Sequence, residues 1–325
     1  MVRLFPLLVC FTIAWLPLAP GTTRGAERPV RVFLLAGQSN MEGQSVADLG
    51  GKDYNEGRGT LARMFENPEQ AKCLAYLKTA NGAWATRDDV TVSYQPSEGP
   101  LKYGPLGLGF GAYSGGHHFG PELQFGHVVG DALDDPVLII KTAWGGKSLA
   151  VDFRPPGAGG EVGPYYRKMI AQAQAAIDRV EHPTDGTPPR KAILSGFVWY
   201  HGWNDGCDPQ HAVPEYRDNL VHLIDAVRKD LNTPNLPVVV GELTGPWVEA
   251  PGEWDTLRKS QKAATELDRF RDTVRFVPTH DFVRPPEDSP NPGHGHHEFG
   301  NAETGLLVGN ALGQAMVKLV VQPGK

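Results

Sequence analysis

The stretch that decides the fold is Val32-Phe33-Leu34-Leu35-Ala36-Gly37-Gln38-Ser39-Asn40-Met41. Its apolar run ends abruptly at Gly37, and a serine follows between two side-chain amides. Ligands of open α/β sheets bind outside the carboxyl ends of the strands, so a serine at the end of such a strand predicts a nucleophile that faces a crevice. The alternative for Ser39 is an ordinary turn after a strand.

Further apolar runs have the length and β-branched content of strands that are buried on both faces of a parallel sheet. The predicted strands are Val30–Leu35, Val137–Lys141, Leu194–Tyr200, Val238–Glu242 and Val274–Thr279. Helical patterns lie at Pro121–Leu133, Tyr165–Val180, Tyr216–Leu231, Trp254–Leu267 and Ala302–Val320. This alternation predicts an α/β, doubly wound fold with a central, mostly parallel five-stranded sheet.

Residues 1–26 have the pattern of a secretory signal peptide. Arg3 supplies the positive start, Leu4–Leu18 supplies the apolar stretch, and small residues end the segment near Ala26. The alternative is a membrane anchor, but three prolines and the short apolar length argue against a stable span. We therefore expect export to the periplasm or the extracellular space, and no membrane span in the mature chain.

Residues 27–325 are predicted to form a single domain with a loop-rich insertion around residues 43–120. The insertion has glycine-rich pieces and scattered aromatics, and it either covers the mouth of the site or decorates the surface without a role. Removal of the signal would leave Cys73 and Cys207 in the mature chain. An oxidising compartment permits a disulfide between them, and the sequence leaves that pairing open.

The charge balance argues against a nucleic-acid partner. The net charge is −6 and the isoelectric point is near 6.0. No basic run indicates binding to an anionic membrane surface either.

Four segments fall where this architecture places strand ends or the start of the last helix. They are 37–40, Lys141–Ser148, Trp199–Gly206 and His294–Glu298. Acyl transfer needs an activated hydroxyl, a base beside it, and donors aimed at the developing oxyanion. These segments offer a serine, glycine N–H groups, an asparagine amide and several histidines, and each of these residues alone also has an ordinary structural explanation.

Three motifs resemble blocks I, II and III of the SGNH hydrolases: Gly37-Gln38-Ser39-Asn40-Met41, Gly145-Gly146 and Gly202-Trp203-Asn204-Asp205. The run Trp144–Ser148 and a late histidine before Gly-Asn-Ala-Glu-Thr narrow the resemblance to the sialate O-acetylesterase-like carbohydrate esterases, over about residues 31–318. The resemblance implies a three-layer, flavodoxin-like fold without metal or other cofactor. It also implies removal of acetyl groups from a carbohydrate, such as sialic acid or xylan.

The resemblance assigns roles to individual residues. Ser39 becomes the nucleophile, and its own N–H becomes part of the oxyanion hole. Gly146, in preference to Gly145, supplies a second donor, and Asn204 supplies a third. His297 best matches the base, because the residues after it continue as the family pattern does into the last helix. His294 and His296 are the other candidates for the base.

The sequence departs from the family at the acid that orients the base. Many SGNH enzymes have an aspartate three residues before the histidine, where this chain has His294. Related esterases use a glutamate of the third block, where this chain has Trp203. The candidate carboxylates are Asp205, Glu298 and Asp288, in that order, and a backbone carbonyl is the alternative.

Other residues are candidates for the substrate pocket. Gln38 and Trp203 are the candidates for substrate contact, and Gln38 and Asn40 are also expected to brace the nucleophile turn. Aromatic faces stack on sugars, although aromatics near strand ends also serve as core residues. The further aromatics near strand ends are Trp144, Trp199, Tyr200 and Trp247. A Gly-Pro-Glu segment that is similar to one in the family places Glu122 near the site.

Metal binding and other functions are the competing interpretations. The late histidines with Glu298 could bind zinc, but the second histidine of the HExxH motif is absent, so we expect no metal. A carbohydrate-binding protein that has lost catalysis is one alternative function. A lipid or thioester hydrolase of the same superfamily is another alternative function. The absence of a long exposed apolar lid argues against it.

Overall fold

The computed structural model describes residues 28–246 and 252–321. The predicted signal segment, residues 1–26, and Trp247 lie outside the described residues. Cys73 and Cys207 lie inside them, and both are exposed and free.

Within the described residues, a seven-stranded sheet forms the centre of the protein. The strands are β1 (Val30–Gly37), β2 (Ser45–Val46), β3 (Arg87–Tyr94), β4 (Lys102–Leu106), β5 (His118–Phe119), β6 (Val137–Ala143), β7 (Ala192–Tyr200), β8 (Val238–Gly241) and β9 (Val274–Val277). Their order in the central sheet is β4-β3-β6-β1-β7-β8-β9, and only β4 is antiparallel to its neighbour. The strands β2 and β5 pair separately. The predicted α/β class with a mostly parallel sheet is confirmed.

The sheet has two strands more than the five predicted, and both come from the insertion. The first half of β3 is charged and partly exposed, so it lacks the continuous apolar run of a buried strand. The edge strand β4 contains Gly104 and Pro105, which are depleted from strands, and proline within sheets is largely confined to edges. These two strands were missed because neither has the continuous apolar run on which the prediction depends.

Helices cover both faces of the sheet. They are α1 (Ser39–Glu42), α2 (Leu61–Met64), α3 (Pro68–Cys73), α4 (Glu122–Ala132), α5 (Pro164–Glu181), α6 (Trp203–Gly206), α7 (Ala212–Asp230), α8 (Gly252–Thr265) and α9 (Ala302–Val321). Short 3-10 segments lie at Lys52–Gly57, Ala75–Leu77, Asp268–Phe270, His280–Phe282, Pro286–Asp288 and Gly295–Gly300. The helices α5, α7 and α8 contribute to one apolar cluster, and α4 and α9 contribute to the other.

The strand β1 shows why its sequence is apolar throughout. Val32 and Leu34 belong to the cluster beneath α5, α7 and α8, whereas Phe33 and Leu35 belong to the cluster beneath α4 and α9. All four side chains are fully buried. Because successive side chains of a strand point to opposite faces, both faces must be apolar when helices cover both.

The register of three central strands brings the predicted motifs to one edge of the sheet. Gly37 at the end of β1 lies beside Ala143 of β6 and Tyr200 of β7. The three strands are parallel, so the segments that follow them emerge on the same side. The motifs around Ser39, Gly146 and Asn204 therefore become neighbours although they are far apart in sequence.

The helix α9 is long and apolar enough to cross a membrane by length and composition, but these criteria are also met by core helices. Half of its most apolar window is buried inside the protein, where α9 packs against α4. Gly309 and Gly313 permit this close approach, since an added Cβ at Gly309 would lie 2.4 Å from the Pro121 carbonyl oxygen.

One ion pair is completely buried between α4 and β6. The Nζ atom of Lys141 lies 2.8 Å from Glu122 Oε2, and both side chains are inaccessible to solvent. Lys141 also donates to the Phe110 carbonyl, and Glu122 accepts from the Gly120 N–H. Each charge is therefore paired and hydrogen bonded, as burial requires. Glu122, which the sequence placed near the site, is a partner in this ion pair.

Removal of one partner of this pair is expected to destabilise the fold strongly. Glu122→Ala leaves the Lys141 ammonium without its counter-charge in an apolar layer, which costs about 3–5 kcal/mol of the free energy of unfolding. Urea titrations monitored by circular dichroism measure this loss. The control is Asp255→Ala, which breaks the exposed Lys259–Asp255 pair and should leave the free energy of unfolding nearly unchanged. Equal losses in the two variants would contradict the prediction.

Candidate active site

The turn that carries Ser39 is possible because of Gly37. A Cβ atom at position 37 would lie 2.0 Å from the Tyr200 carbonyl oxygen, so only glycine fits beside β7. The chain then turns through Gln38 into the short helix α1, of which Ser39 is the first residue. Ser39 is 7% exposed at the rim of the sheet. The sequence expectation of a serine directly beyond the strand is met by this position.

The Gln38 side chain ties the nucleophile turn to the loop after β7. Its Oε1 atom accepts from the N–H groups of Gly202, at 3.0 Å, and Asn204, at 3.4 Å. Its Nε2 atom donates to Asn204 Oδ1 at 3.0 Å. Gln38 is only 2% exposed, so it braces the turn, which is one of the two roles expected for it. Because Asn204 Oδ1 is occupied, the Nδ2 group is the part of this amide that remains available as a donor.

The loop after β6 offers Gly146 as the second donor. The Gly145 N–H donates to Glu42 Oε2 at 2.9 Å and is therefore committed. Gly146 has a positive φ of 73°, and nothing lies within 4 Å of the place where its Cβ would be. Within the described part of the chain, its N–H has no hydrogen-bond partner. Of the two glycines, only Gly146 thus keeps a free N–H among the described residues, and its role as an oxyanion donor stays a prediction.

Glu42 is a site residue that the sequence reasoning missed. Its carboxylate accepts from the Gly145 N–H and, at 2.7 Å, from the Tyr94 hydroxyl. It thereby joins α1, which carries Ser39, to the loop that carries Gly146. A Cβ on Gly145 would be 3.6 Å from the Ser39 Cβ, so this tie lies beside the nucleophile. Glu42 directly follows the Gly-Gln-Ser-Asn-Met motif, and that adjacency was the available signal.

The late histidine segment is joined to α1 through Glu298. The Glu298 carboxylate accepts from Asn40 Nδ2 at 3.2 Å, and also from the hydroxyls of Tyr200 and Thr244. Glu298 has a positive φ of 54°, which costs energy in a residue with a side chain. Such strain persists where surrounding contacts fix the backbone, and it concentrates at functional sites. The bond from Asn40 brings the segment of His297 to the nucleophile turn.

The His297 ring is held in an environment that favours its neutral form. Burial, together with the nearby His296 and His294 rings, lowers its pKa to about 4. The ring centres of His296 and His297 are 4.0 Å apart. In the residues that the structure describes, the His297 ring makes no hydrogen bond to a carboxylate. Packing against the other histidines is therefore what positions the ring there.

The structure does not bring Asp205 to His297. The two carboxylate oxygens of Asp205 accept from the N–H groups of Leu149, at 2.8 Å, and Ala150, at 2.9 Å. His201 lies 3.7 Å away on the same side. The side chain is fully buried, and burial raises its pKa to about 7. Asp205 thus fixes the loop after β6.

The other two candidate carboxylates have different surroundings. Glu298 is occupied by Asn40, Tyr200 and Thr244, as described above. Asp288 contributes its backbone carbonyl to the Asn301 side chain. Among the described residues, neither hydrogen bonds to His297. A carboxylate that orients the base is accordingly missing from this part of the chain.

Aromatic rings extend from His297 along the loop after β7. The rings of Trp203 and His296 are 5.8 Å apart, and Trp203 lies 4.7 Å from Trp254. Trp203 is partly buried and directly precedes Asn204 in the chain. By contrast, Trp254, Trp144, Trp199 and Tyr200 are buried core residues. We call the rings of His296, Trp203 and Trp254 the tryptophan wall.

Within residues 28–246 and 252–321, no group of three or more His, Cys, Asp or Glu side chains is arranged to hold a metal ion. His117 and His118 are another pair of adjacent histidines and lie in the insertion. The Nδ1 atom of His117 is 2.7 Å from Asp48 Oδ1.

Comparisons with known proteins identify the family that this chain resembles. The family model described as carbohydrate esterase, sialic acid-specific acetylesterase matches residues 29–302. A probable carbohydrate esterase of Arabidopsis thaliana is 25% identical over 211 residues, which cover 65% of this chain and 68% of the relative.

Solved structures share the fold. The structure of an Arabidopsis thaliana protein has a TM-score of 0.56 and 18% identity, covering 90% of this chain and 99% of that one. The structure of a carbohydrate acetylesterase from Xanthomonas citri has a TM-score of 0.52 and 17% identity, covering 89% of this chain and 56% of that one. The structure of NanS has a TM-score of 0.53 and 13% identity, covering 91% of this chain and 98% of that one.

Loss of the Glu42 carboxylate is expected to slow ester hydrolysis more than it weakens substrate binding. Glu42→Ala releases the loop after β6, and a small displacement of a catalytic donor costs on the order of ten- to a hundredfold in rate. Kinetics with p-nitrophenyl acetate should show the loss mainly in kcat. Glu42→Gln keeps an acceptor oxygen and should retain more activity.

The control for this experiment is Glu161→Ala, because the Glu161 side chain is 91% exposed and far from these hydrogen bonds. Wild-type kcat in a correctly folded Glu42→Ala protein would show that the tie has no role in catalysis.

Proposed function

Because the chain belongs to the sialic acid-specific acetylesterase family of carbohydrate esterases, we propose that it is a serine esterase that removes O-acetyl groups from a carbohydrate through an acyl-enzyme. The observation that carries the proposal is the convergence of Ser39, Gly146 and Asn204 at the ends of three adjacent parallel strands. The substrate class follows the family, and sialic acid and xylan are the two acetylated carbohydrates that we expect.

The nucleophilic step is assigned to Ser39. Its Oγ attacks the carbonyl carbon of the acetyl group, and His297 accepts the hydroxyl proton. The tetrahedral intermediate then collapses, the bond to the sugar oxygen breaks, and His297 returns the proton to that oxygen. Water, deprotonated by the same histidine, next attacks the acetyl-serine, so the products are the free sugar hydroxyl and acetate.

We assign three donors to the stabilisation of the oxyanion. They are the N–H of Ser39 at the start of α1, the N–H of Gly146, and Nδ2 of Asn204. The hydrogen bonds of Gln38 and Glu42 hold the last two in position before substrate arrives. Donors that are already oriented need no reorganisation during the reaction, which makes this term a large part of catalysis by such sites.

Substrate contact is assigned to Trp203, the partly buried tryptophan of the tryptophan wall. The apolar face of a sugar ring can stack on an indole, and Trp203 lies directly beside Asn204. Gln38 supports this site indirectly, through the amide of Asn204.

We further propose that residues 1–26 direct export, so that the enzyme acts in the periplasm or outside the cell. The sequence pattern of this segment supports the proposal.

A carbohydrate-binding protein without catalysis is the second candidate function. It is favoured by one observation: within the described residues, no carboxylate contacts His297. The same assay with the wild-type protein separates the two functions, since a binding protein would show no hydrolysis above the rate in buffer.

Replacement of the nucleophile is expected to abolish hydrolysis. Ser39→Ala should lower kcat for p-nitrophenyl acetate by about 10³-fold or more, because the covalent route is lost. The release of p-nitrophenolate measures the rate. Ser97→Ala, at an exposed serine of the insertion, is the control and should leave the rate unchanged. Equal rates in Ser39→Ala and wild type would overturn the serine mechanism.

The pH profile is expected to reflect the low pKa of His297. A general base acts in its neutral form, which predominates above its pKa, so activity is lost only as the pH falls through about 4. The measurement is kcat/KM for an acetyl ester from pH 3.5 to 8, with the fold monitored by tryptophan fluorescence. A fall in kcat/KM centred near pH 6.5 in folded protein would contradict the assignment.

A further inference from the structure

Tyr113 is an aromatic side chain that the fold holds in solvent at an energetic cost. It is 63% exposed, and its backbone has a positive φ of 64°. Bulky residues are outliers in this region, and exposure of an aromatic ring forgoes its burial energy. The rest of the insertion must therefore hold this residue in place.

Several hydrogen bonds fix the loop of Tyr113 to the nucleophile turn. The N–H of Ala112 donates to the Gly43 carbonyl at 2.9 Å, and the Gly43 N–H donates to the Ser39 carbonyl at 2.9 Å. On the other side of the loop, Lys102 Nζ donates to the carbonyls of Gly109, at 2.8 Å, and Gly111, at 3.3 Å. Two hydrogen bonds thus connect Tyr113 to Ser39 by a short path.

The position of Tyr113 is opposite the tryptophan wall with respect to Ser39. The hydrogen bond from Ala112 to the Gly43 carbonyl attaches this loop to the residue that follows Glu42, whose carboxylate accepts from the Gly145 N–H. Gly145 follows β6, whereas Trp203 follows β7, and the two strands flank β1 on opposite sides. The Tyr113 ring packs edge to face against the His118 ring, with ring centres 4.9 Å apart and an interplanar angle of 69°.

We propose that Tyr113 is a specificity-determining residue that stacks on a sugar ring of the acetylated substrate, as the second aromatic wall across the cleft from Trp203. This inference rests on the proposed function, because it concerns the substrate of the same site. An exposed ring on a hydrogen-bonded loop suits this role, since little backbone entropy is lost when the sugar binds. The two walls then hold the sugar while the acetyl group reaches Ser39.

Binding experiments test the proposal independently of catalysis. In a Ser39→Ala background, calorimetry with O-acetylated xylo-oligosaccharides and with O-acetylated sialic acid gives the Kd of an intact substrate. Adding Tyr113→Ala should raise the Kd about three- to tenfold, the contribution of one aromatic stacking contact. Adding Tyr113→Phe should restore the parental Kd, because the ring is retained.

The control is Tyr103→Ala, which removes another exposed tyrosine, 47% accessible, from the edge strand β4. It should leave the Kd unchanged. An unchanged Kd in the Tyr113→Ala protein, or no binding of either sugar by the parent, would overturn the proposal.

Kinetics of the active enzyme, in which Ser39 is intact, distinguish a loss of sugar recognition from a loosened loop. Tyr113→Ala should lower kcat/KM for the acetylated sugar at least about threefold more than for p-nitrophenyl acetate, and mainly through KM. Equal losses on both esters would show that Tyr113 only supports the nucleophile turn. Failure of the proposed function would give a different result. The wild type would hydrolyse neither ester, yet it would bind the sugar tightly, and Tyr113→Ala would weaken that binding.

Discussion

The close packing of β1 against β7 at Gly37 is the constraint on which the site depends. An added Cβ there would overlap the Tyr200 carbonyl, so the strand end can approach its neighbour only as glycine. This approach lets Gln38 reach the N–H groups of the loop after β7 and hold Asn204. The same strand end pairs with β6 on its other side, which brings the two glycines of that loop to Ser39.

Two carboxylates then connect other parts of the candidate site to the helix α1, which carries Ser39. Glu42 connects the helix to the loop that carries Gly146, and Glu298 connects it to the segment that carries His297. Each of these acids accepts several hydrogen bonds, so the geometry does not depend on a single contact. Such preorganisation stabilises charge in the transition state without reorganisation during the reaction.

Much of the fold could be predicted from the sequence, because strands buried on both faces need continuous apolar runs. The predicted β1, β6 and β7 agree with the structure to within a few residues. The strands β3 and β4 were missed because their exposed and partly exposed positions carry charged residues, glycine and proline. For the site, motifs predicted which loops meet, but the partner of an isolated carboxylate such as Asp205 or Glu42 depends on long-range packing that local patterns do not encode.

The proposed mechanism requires Ser39 to carry the acetyl group during turnover. Rapid acid quenching of the enzyme during hydrolysis of p-nitrophenyl acetate, followed by peptide mass spectrometry, tests this directly. An acetyl group is expected on the peptide that contains Ser39, and on the hydroxyl of that residue. Acetylation of a different residue, or steady turnover with no acetylated peptide, would contradict the mechanism.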